Sequence, residues 1–196
     1  MDAPERLCQF FKRYIGRPEL LAKDREEEPD LYFVDGIERD PVALSTIVLK
    51  KIVAYAAEQG EEVKDVVITC PAYFNQSQRE ATRLAGVADS VGLNVLAIIN
   101  EPTAAVMNYA NSAGAAIGAS TNVLVYDLGG GTFDITLVNL SKSDDGKLTV
   151  RVLASVGDDV LGGKDWDQAL EALVKKKLAT ELGLSLIHIS EPTRPY

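Results

Sequence analysis

The sequence VLVYDLGGGTFDITLV, residues 123–138, is the most informative part of this chain. Runs rich in β-branched and aromatic residues flank three consecutive glycines, which predicts a strand, a tight turn and a returning strand. Asp127 ends the first strand, and Thr132 and Asp134 lie at the start of the second. A loop without side chains lets backbone N–H groups approach an anion, and hard oxygen ligands suit Mg²⁺. The stretch therefore indicates a phosphate and metal site, with an ordinary glycine-rich hairpin as the alternative.

The composition predicts a soluble, acidic domain of ordinary size. The chain has 196 residues, of which 46% are hydrophobic, enough for a core. The net charge of −9 argues against nucleic acids and anionic membranes as partners, because both would repel the protein. Cys8 and Cys70 lack the spacing of a metal site, so a reducing, cytoplasmic setting is expected. The first residues do not resemble a signal peptide, and no apolar run is long enough to span a bilayer.

The last segment, LSLIHISEPTRPY at residues 184–196, resembles the translation of a sequencing adapter. We expect it to be an artefact and exclude it from the fold prediction. The segment contains His188, the single histidine of the chain. Its exclusion removes every histidine-dependent triad or metal site from consideration.

The first half of the chain predicts alternating helices and strands. Residues 5–17 carry apolar side chains at helical spacing, and Asp40 before Pro41 predicts the start of another helix. Strands are predicted at residues 66–69 and 94–99, each followed by a helix. This order with short connections is typical of parallel strands joined by right-handed crossovers.

Two charged residues of this half allow a functional and a structural interpretation. Glu101 follows the strand at residues 94–99, and open α/β sheets bind their ligands at the carboxyl ends of strands. It would orient a metal-bound or attacking water there, or only cap the next helix. Lys12 lies on the predicted amphipathic helix, where a lysine is most often a solvated charge.

The second half predicts an antiparallel meander followed by a helix. After the opening hairpin, a polar turn leads to a third strand at residues 148–155. Gly162 and Gly163 precede a helix that has Asp165 near its start. The chain thus predicts the end of one α/β unit up to about residue 110 and the beginning of another from residue 123.

Two common phosphate motifs are excluded. The glycine stretch contains no GK[ST] and is followed by a strand, which excludes a Walker A loop. It is not GxGxxG either, because Asp134 occupies the position of the third glycine.

Five motifs resemble those of the heat-shock protein 70 chaperone family within the actin-like ATPase superfamily. In order along the chain they are KRYIGR (residues 12–17), ITCPAYFNQSQREAT (68–82), IINEPTAA (98–105), YDLGGGTFDITL (126–137) and GDDVLGGKDWD (157–167). The resemblance covers nearly the whole chain up to about residue 182. The glycine stretch resembles the second phosphate motif of the superfamily, in which a hairpin wraps the phosphates.

The resemblance implies catalytic roles for four residues. Lys12 matches the lysine that positions the attacking water and the γ-phosphate, and Glu101 matches a glutamate on the Mg²⁺ and water side. Asp127 and Thr132 match an acid and a hydroxyl near the metal, the water and the γ-phosphate.

The resemblance also implies binding roles around the glycines. The nucleotide-binding positions are Gly129, Gly130, Gly131, Thr132, Gly162 and Gly163. The metal and ion positions are Glu101, Asp127, Asp134 and Asp165, of which Asp134 matches an acid at a potassium site. Pro71 and Arg79 match residues that relay the nucleotide state to a substrate-binding domain.

The implied fold is a ribonuclease H-like α/β fold truncated at both ends. Residues 1–110 would form the C-terminal part of the first nucleotide-binding lobe with an inserted subdomain, and residues 111–183 the N-terminal part of the second lobe. The implied function is part of a chaperone ATPase domain with ATP or ADP, Mg²⁺ and K⁺ as ligands. A sugar-kinase-like phosphotransferase or an actin-like filament protein of the same superfamily is the alternative.

The implied partners of the complete protein are unfolded polypeptides, a J-domain co-chaperone and a nucleotide exchange factor. Two residues depart from the family pattern, since Lys164 stands in place of glutamate and Trp166 in place of phenylalanine. The first phosphate loop and the adenosine motif are not found in this sequence. We therefore expect this chain alone to lack tight ATP binding and ATPase activity.

Overall fold

The computed structural model describes residues 7–26, 32–34, 36–113, 120–143 and 145–182. The segment 184–196, predicted to be an artefact, lies outside the described residues. The α-helices are α1 Pro18–Asp24, α2 Pro41–Glu58, α3 Gln76–Val87, α4 Glu101–Ala113 and α5 Gly163–Leu182. The strands are β1 Phe33–Val34, β2 Ile37–Glu38, β3 Asp65–Cys70, β4 Asn94–Asn100, β5 Ser120–Leu128, β6 Phe133–Lys142 and β7 Leu148–Asp158. The predicted α/β class is confirmed.

The parallel pair in the first half is confirmed. β3 and β4 pair in parallel, with α3 as the crossover between them. The N-cap predicted at Asp40 is present, since its carboxylate accepts from the Ala43 N–H at 2.9 Å. Asn75 caps α3 through a capping box with Gln78. Local sequence signals therefore set both helix starts.

The helix predicted over residues 5–17 is wrong in its described part. Only a four-residue 3₁₀ helix, Phe11–Tyr14, forms there. Phe10 has a φ of 60°, a left-handed conformation that ends any helix before it. The apolar residues do not share one face either, because Phe11 and Tyr14 pack in one cluster while the Phe10 ring lies against Gly130 and Gly131.

The predicted meander is confirmed as an antiparallel sheet of β5, β6 and β7. β6 lies in the centre, and its side chains Val138 and Leu140 are completely buried. They pack against Val106 and Ala110 of α4. α4 therefore connects the two halves of the chain, because it follows β4 directly and covers one face of the meander.

α5 begins beside the glycine turn and presents apolar side chains to solvent. The exposed large side chains of this helix are Trp166, Leu170, Leu173 and Val174. Among the helices within the described residues, none has the length and apolar character needed to cross a membrane.

Candidate functional site

The glycine turn, residues 129–131, connects β5 to β6. Ladder pairing of the two strands extends to Leu128 and Phe133 on either side of it. The N–H of Gly129 donates to the carbonyl of Thr132 at 2.9 Å and closes the turn. The turn thus lies at the end of a long two-strand ladder.

All three carbonyls of the glycine turn accept hydrogen bonds from outside the hairpin. The carbonyl of Gly129 accepts from the N–H of Gly163, and that of Gly130 accepts from the N–H of Lys164, both at 2.9 Å. The third, that of Gly131, accepts from Nε of Arg13 at 2.7 Å. The start of α5 and a side chain distant in sequence therefore hold the carbonyls of the turn.

The N–H groups that follow these carbonyls belong to Gly130, Gly131 and Thr132. In a trans peptide the C=O and the N–H point in opposite directions, so these N–H groups point away from the donors that hold the carbonyls. They donate to no acceptor among the residues that the structure describes. Successive unpaired N–H groups form a concavity that binds anions. The turn is therefore suited to a phosphate.

Gly162 packs directly on the glycine turn. A Cβ atom at this position would lie 2.6 Å from the nitrogen of Gly131 and 2.7 Å from the carbonyl of Gly130. Side-chain carbon atoms do not approach backbone atoms so closely, so only glycine lets the two segments touch.

Lys12 and Glu101 form a salt bridge across the site. Lys12 Nζ lies 2.9 Å from Glu101 Oε1, although 89 residues separate the two in sequence. The side chain of Lys12 is 47% exposed and that of Glu101 24%, so both charges remain accessible to a ligand. Glu101 is the first residue of α4, directly after β4. The structure therefore brings together the two charged residues for which the sequence left two interpretations.

Asp127 and Asp134 are paired across β5 and β6 but lie in different surroundings. Asp127 is exposed, whereas Asp134 is buried. The Asp134 carboxylate accepts from the Ala72 N–H at 3.0 Å and from the hydroxyls of Thr136 and Ser155, both at 3.1 Å. Asp134 thus ties the loop after β3 to the meander.

Thr132 lies beside the half-buried ring of Tyr73. Burial raises the pKa of the Tyr73 phenol to about 12, and Thr132 nearby offsets only part of the rise. The Tyr73 hydroxyl is outside hydrogen-bonding geometry with the other described residues. Tyr73 therefore stays neutral at physiological pH, and its uncharged side chain lies next to Thr132.

Asp165 is held by Arg13 and by the start of its own helix. Its Oδ2 accepts from a terminal nitrogen of Arg13 at 2.5 Å and from the Gly162 N–H at 2.7 Å. Its Oδ1 lies 3.3 Å from the other terminal nitrogen of Arg13. The hydrogen bonds from Arg13 are the main reason that the pKa of Asp165 is lowered. Asp165 is therefore a carboxylate whose charge is already paired.

The site residues expected from the sequence fall into separate groups. The glycine turn, Gly162, Gly163 and Asp165 are in contact, and Lys12 pairs with Glu101. The four acids expected at metal and ion positions do not form one ligand set. Within the described ranges, no group of three or more histidine, cysteine, aspartate or glutamate side chains could hold a metal ion.

Pro71 and Arg79 lie together at the loop after β3. Pro71 is buried, and the Arg79 guanidinium donates to the carbonyl of Ala72 at 3.0 Å and to the side chain of Asn100 at 2.8 Å. Arg79 therefore ties this loop to the end of β4, next to Glu101.

Three residues near the site, Arg13, Phe10 and Arg17, were missed by sequence reasoning. Arg13 contacts Gly131 and Asp165, and Phe10 packs against the glycine turn. Arg17 makes a further ion pair to Asp159. The only available signal was their place within or beside KRYIGR, since periodicity assigned this segment to a surface helix.

Comparisons with known proteins agree with the motifs and the geometry. The family model described as Hsp70 protein matches residues 21–191. Similar relatives are the chaperone proteins DnaK of Thermotoga petrophila and Thermotoga maritima, each 39% identical over 184 residues. That of Thermotoga neapolitana is 40% identical over the same length.

In each case the match covers 93% of this chain but 27% of the relative, so the chain spans about a quarter of the length of these proteins. The family model matches well over half of the chain. This chain belongs to the heat-shock protein 70 family.

Proposed function

We propose that this chain is part of the ATPase domain of a heat-shock protein 70 type chaperone, which binds and hydrolyses ATP to drive cycles of unfolded-polypeptide binding and release. The observation that carries this proposal is the glycine turn. Its three carbonyls all accept hydrogen bonds from Arg13 or from the start of α5, and the N–H groups that follow them have no acceptor among the described residues. Such an arrangement favours an anion with several oxygens, as in a polyphosphate.

The proposed fold is the ribonuclease H-like fold of actin-like ATPases. Residues 1–110 are assigned to the C-terminal part of the first lobe, with an inserted subdomain, and residues 111–183 to the N-terminal part of the second. The parallel pair β3–β4 and the antiparallel meander β5–β6–β7 support this division. The remaining parts of both lobes would come from segments of the kind that the longer relatives have outside the matched region.

The proposed ligands are ATP or ADP with Mg²⁺, and K⁺ as a second ion. Mg²⁺ usually keeps several waters and takes one or two carboxylates together with phosphate oxygens, so it does not require a cluster of acids. Glu101 and the exposed Asp127 suit that role. Asp134 and Asp165 are proposed at ion positions only through the lone pairs that their protein hydrogen bonds leave free.

The residues of this chain would act by positioning and by charge. The N–H groups of the glycine turn and the ammonium of Lys12 would bind phosphate oxygens, while Glu101 keeps that ammonium oriented. The Thr132 hydroxyl and the Glu101 carboxylate would orient a water for attack on the terminal phosphate. When bound, Mg²⁺ supplies further neutralisation of phosphate charge.

The alternatives of the same superfamily are less well supported. A sugar-kinase-like phosphotransferase or an actin-like filament protein would also use a phosphate hairpin, but the family match does not favour them.

The proposed partners of the complete protein are unfolded polypeptides, a J-domain co-chaperone and a nucleotide exchange factor. A cytoplasmic location is proposed from the family and from the free thiols of Cys8 and Cys70.

Calorimetric titration of the purified chain with Mg-ATP tests the binding part of the proposal. We expect weak binding, with a Kd above about 1 μM, because the chain carries only part of a two-lobed site. A sub-micromolar Kd would contradict the assignment of this chain to part of a site. No saturable binding at any accessible concentration would contradict the phosphate role of the glycine turn.

A chimera tests the catalytic part. Residues 7–182 would replace the aligned segment of the Thermotoga maritima chaperone protein DnaK, and ATP hydrolysis and nucleotide affinity would be measured separately. Glu101→Ala and Asp127→Ala are expected to slow hydrolysis about 100-fold, with little change in nucleotide affinity. Equal losses of rate and affinity would argue against these roles, and Arg83→Lys on the distant surface of α3 serves as the matched control.

A further inference from the structure

Arg13 is a buried charge with three hydrogen bonds to the candidate site. The residue is 8% exposed, which is rare for an arginine unless its charge is paired. Its two terminal nitrogens meet both oxygens of Asp165, and its Nε donates to the carbonyl of Gly131 at 2.7 Å. Each of these donors therefore connects the segment before α1 to the glycine turn or to α5.

Asp165 extends this connection to the second glycine segment, Gly162 and Gly163; this segment and the glycine turn are the two glycine segments. It is the third residue of α5, and its carboxylate accepts from the N–H of Gly162, as the acid of a capping box does. Gly163 and Lys164 in turn donate to the carbonyls of the glycine turn. The Arg13–Asp165 pair is thus bonded to both glycine segments at their point of contact.

The ring of Phe10 packs against the glycine turn and against the two cations that lie beside it. A Cβ at Gly131 would lie 3.6 Å from its ring, and one at Gly130 would lie 4.0 Å away. The ring centre is 5.8 Å from the guanidinium carbon of Arg13 and 4.9 Å from Nζ of Lys164. Such cation–π contacts favour keeping both cations where they are.

We propose that Arg13 is a positioning residue that holds the two glycine segments together and so orients the N–H groups of the glycine turn toward the phosphate. Because its Nε fixes the Gly131 carbonyl, the N–H of Thr132 in the same peptide plane points away from Arg13. The phosphate part of this inference rests on the proposed function. The contact between the glycine segments exists without any ligand.

Lysine cannot replace Arg13 in this role. An ammonium is a compact point charge, whereas the planar guanidinium meets a carboxylate with two donors and a carbonyl with a third. Arg13→Lys keeps the charge and removes the geometry, which makes it the informative variant. The matched control is Arg83→Lys, because Arg83 forms an exposed pair with Glu80 on α3, away from the glycine segments.

Amide hydrogen exchange of the full chain without ligand tests the inference. In Arg13→Lys we expect the amides of Gly163 and Lys164 to exchange about tenfold faster, as loss of charge-assisted hydrogen bonds predicts. The Ala72 amide, which donates to Asp134, should be unchanged, and Arg83→Lys should change none of the three. Unchanged exchange at Gly163 and Lys164, or equal acceleration at all three amides, would overturn the proposal.

Chemical rescue covers the case in which Arg13→Lys does not fold well. In Arg13→Ala, guanidinium at a low, non-denaturing concentration should restore the slow exchange of Gly163 and Lys164, and methylammonium at the same concentration should not. Equal effects of the two cations, or no rescue by guanidinium, would overturn the proposal.

Titration of the same variants with Mg-ADP tests the proposed function and the positioning role of Arg13 separately. If Arg13→Lys changes the exchange while the unaltered chain binds no nucleotide, the proposed function fails and the link between the glycine segments stands. If the unaltered chain binds and Arg13→Lys binds equally well, the positioning role fails and the proposed function stands.

Discussion

The two turns of the meander are built in opposite ways. The turn between β6 and β7 is closed by its own residues, since the N–H of Ser143 donates to the carbonyl of Lys147 at 3.0 Å and that of Gly146 to Ser143 at 2.8 Å. The glycine turn, by contrast, has its carbonyls bonded by Arg13 and by the start of α5. The turn between β6 and β7 is held by local hydrogen bonds, whereas the glycine turn has one local closing bond and is also held by distant segments.

This difference teaches how a binding turn can be kept ready for a ligand. In the turn between β6 and β7, the N–H groups of Ser143, Gly146 and Lys147 are bonded within the turn, so these three are not free for a ligand. The glycine turn satisfies its carbonyls through distant segments and leaves successive N–H groups for an anion. The shape of the glycine turn therefore depends on those segments, and substitutions can measure that dependence.

The largest effect is expected for Asp134→Ala in the strand that follows the glycine turn. The substitution removes a buried acceptor and leaves the Ala72 N–H and two hydroxyls without it, which should lower the free energy of unfolding by about 3 kcal/mol. Urea unfolding measures this. Asp145→Ala in the exposed turn is the control and should change the free energy of unfolding far less than Asp134→Ala does. Similar losses would show that Asp134 adds no more than a surface acid.

A smaller loss is expected for Gly162→Ala. Its Cβ would meet the backbone of Gly130 and Gly131, so the two glycine segments must separate at a cost of about 2 kcal/mol. Urea unfolding gives the free energy, and amide exchange at Gly163 shows whether the loss is local. Unchanged exchange at Gly163 would mean that the two segments do not depend on close contact.

Gly146→Ala should cost less, about 1 kcal/mol, because only backbone strain is involved. Gly146 has a φ of 84°, and the nearest atom to the added methyl group would be the flexible end of Lys142 at 4.0 Å. Urea unfolding should show the loss while exchange at Gly163 stays unchanged. A change at Gly163 would contradict the independence of the two turns.

The smallest effect is a pH dependence of the contact between the glycine segments. The hydrogen bonds from Arg13 lower the pKa of Asp165, so its contribution is complete above the ordinary aspartate pKa of about 4. The contribution is lost as the pH falls through the lowered pKa of the folded chain. Exchange at Gly163, corrected for intrinsic rates, should therefore rise at acid pH, and Asp165→Asn should remove this dependence. A dependence that persists in Asp165→Asn would assign it to another group.

The parts of the fold that follow from short-range signals were predictable. The Asp40 cap, the crossover from β3 to β4 and the meander each depend on patterns within a few residues, and the structure has all of them. The helix predicted over residues 5–17 was wrong in its described part. The apolar spacing fits a helix, but Phe10 adopts a left-handed conformation and packs on the glycine turn, apart from Phe11 and Tyr14.

The candidate site residues remain predictions from the sequence, and the contacts that connect them were not predictable. Consecutive glycines between acids indicate a phosphate turn from local sequence alone. The contacts of Arg13 with Gly131 and Asp165 span 118 and 152 residues, and no periodicity reports pairing over such distances. The roles expected for the acids at ion positions remain predictions.

The fluorescence of Trp166 can report on the surroundings of the start of α5. It is the single tryptophan of the sequence, and its backbone N–H donates to the carbonyl of Gly162 at 3.4 Å. Its side chain is 63% exposed, so its emission should be that of an indole in water. Any event that covers this face would shift the emission to shorter wavelength, and it could be followed in real time without a label.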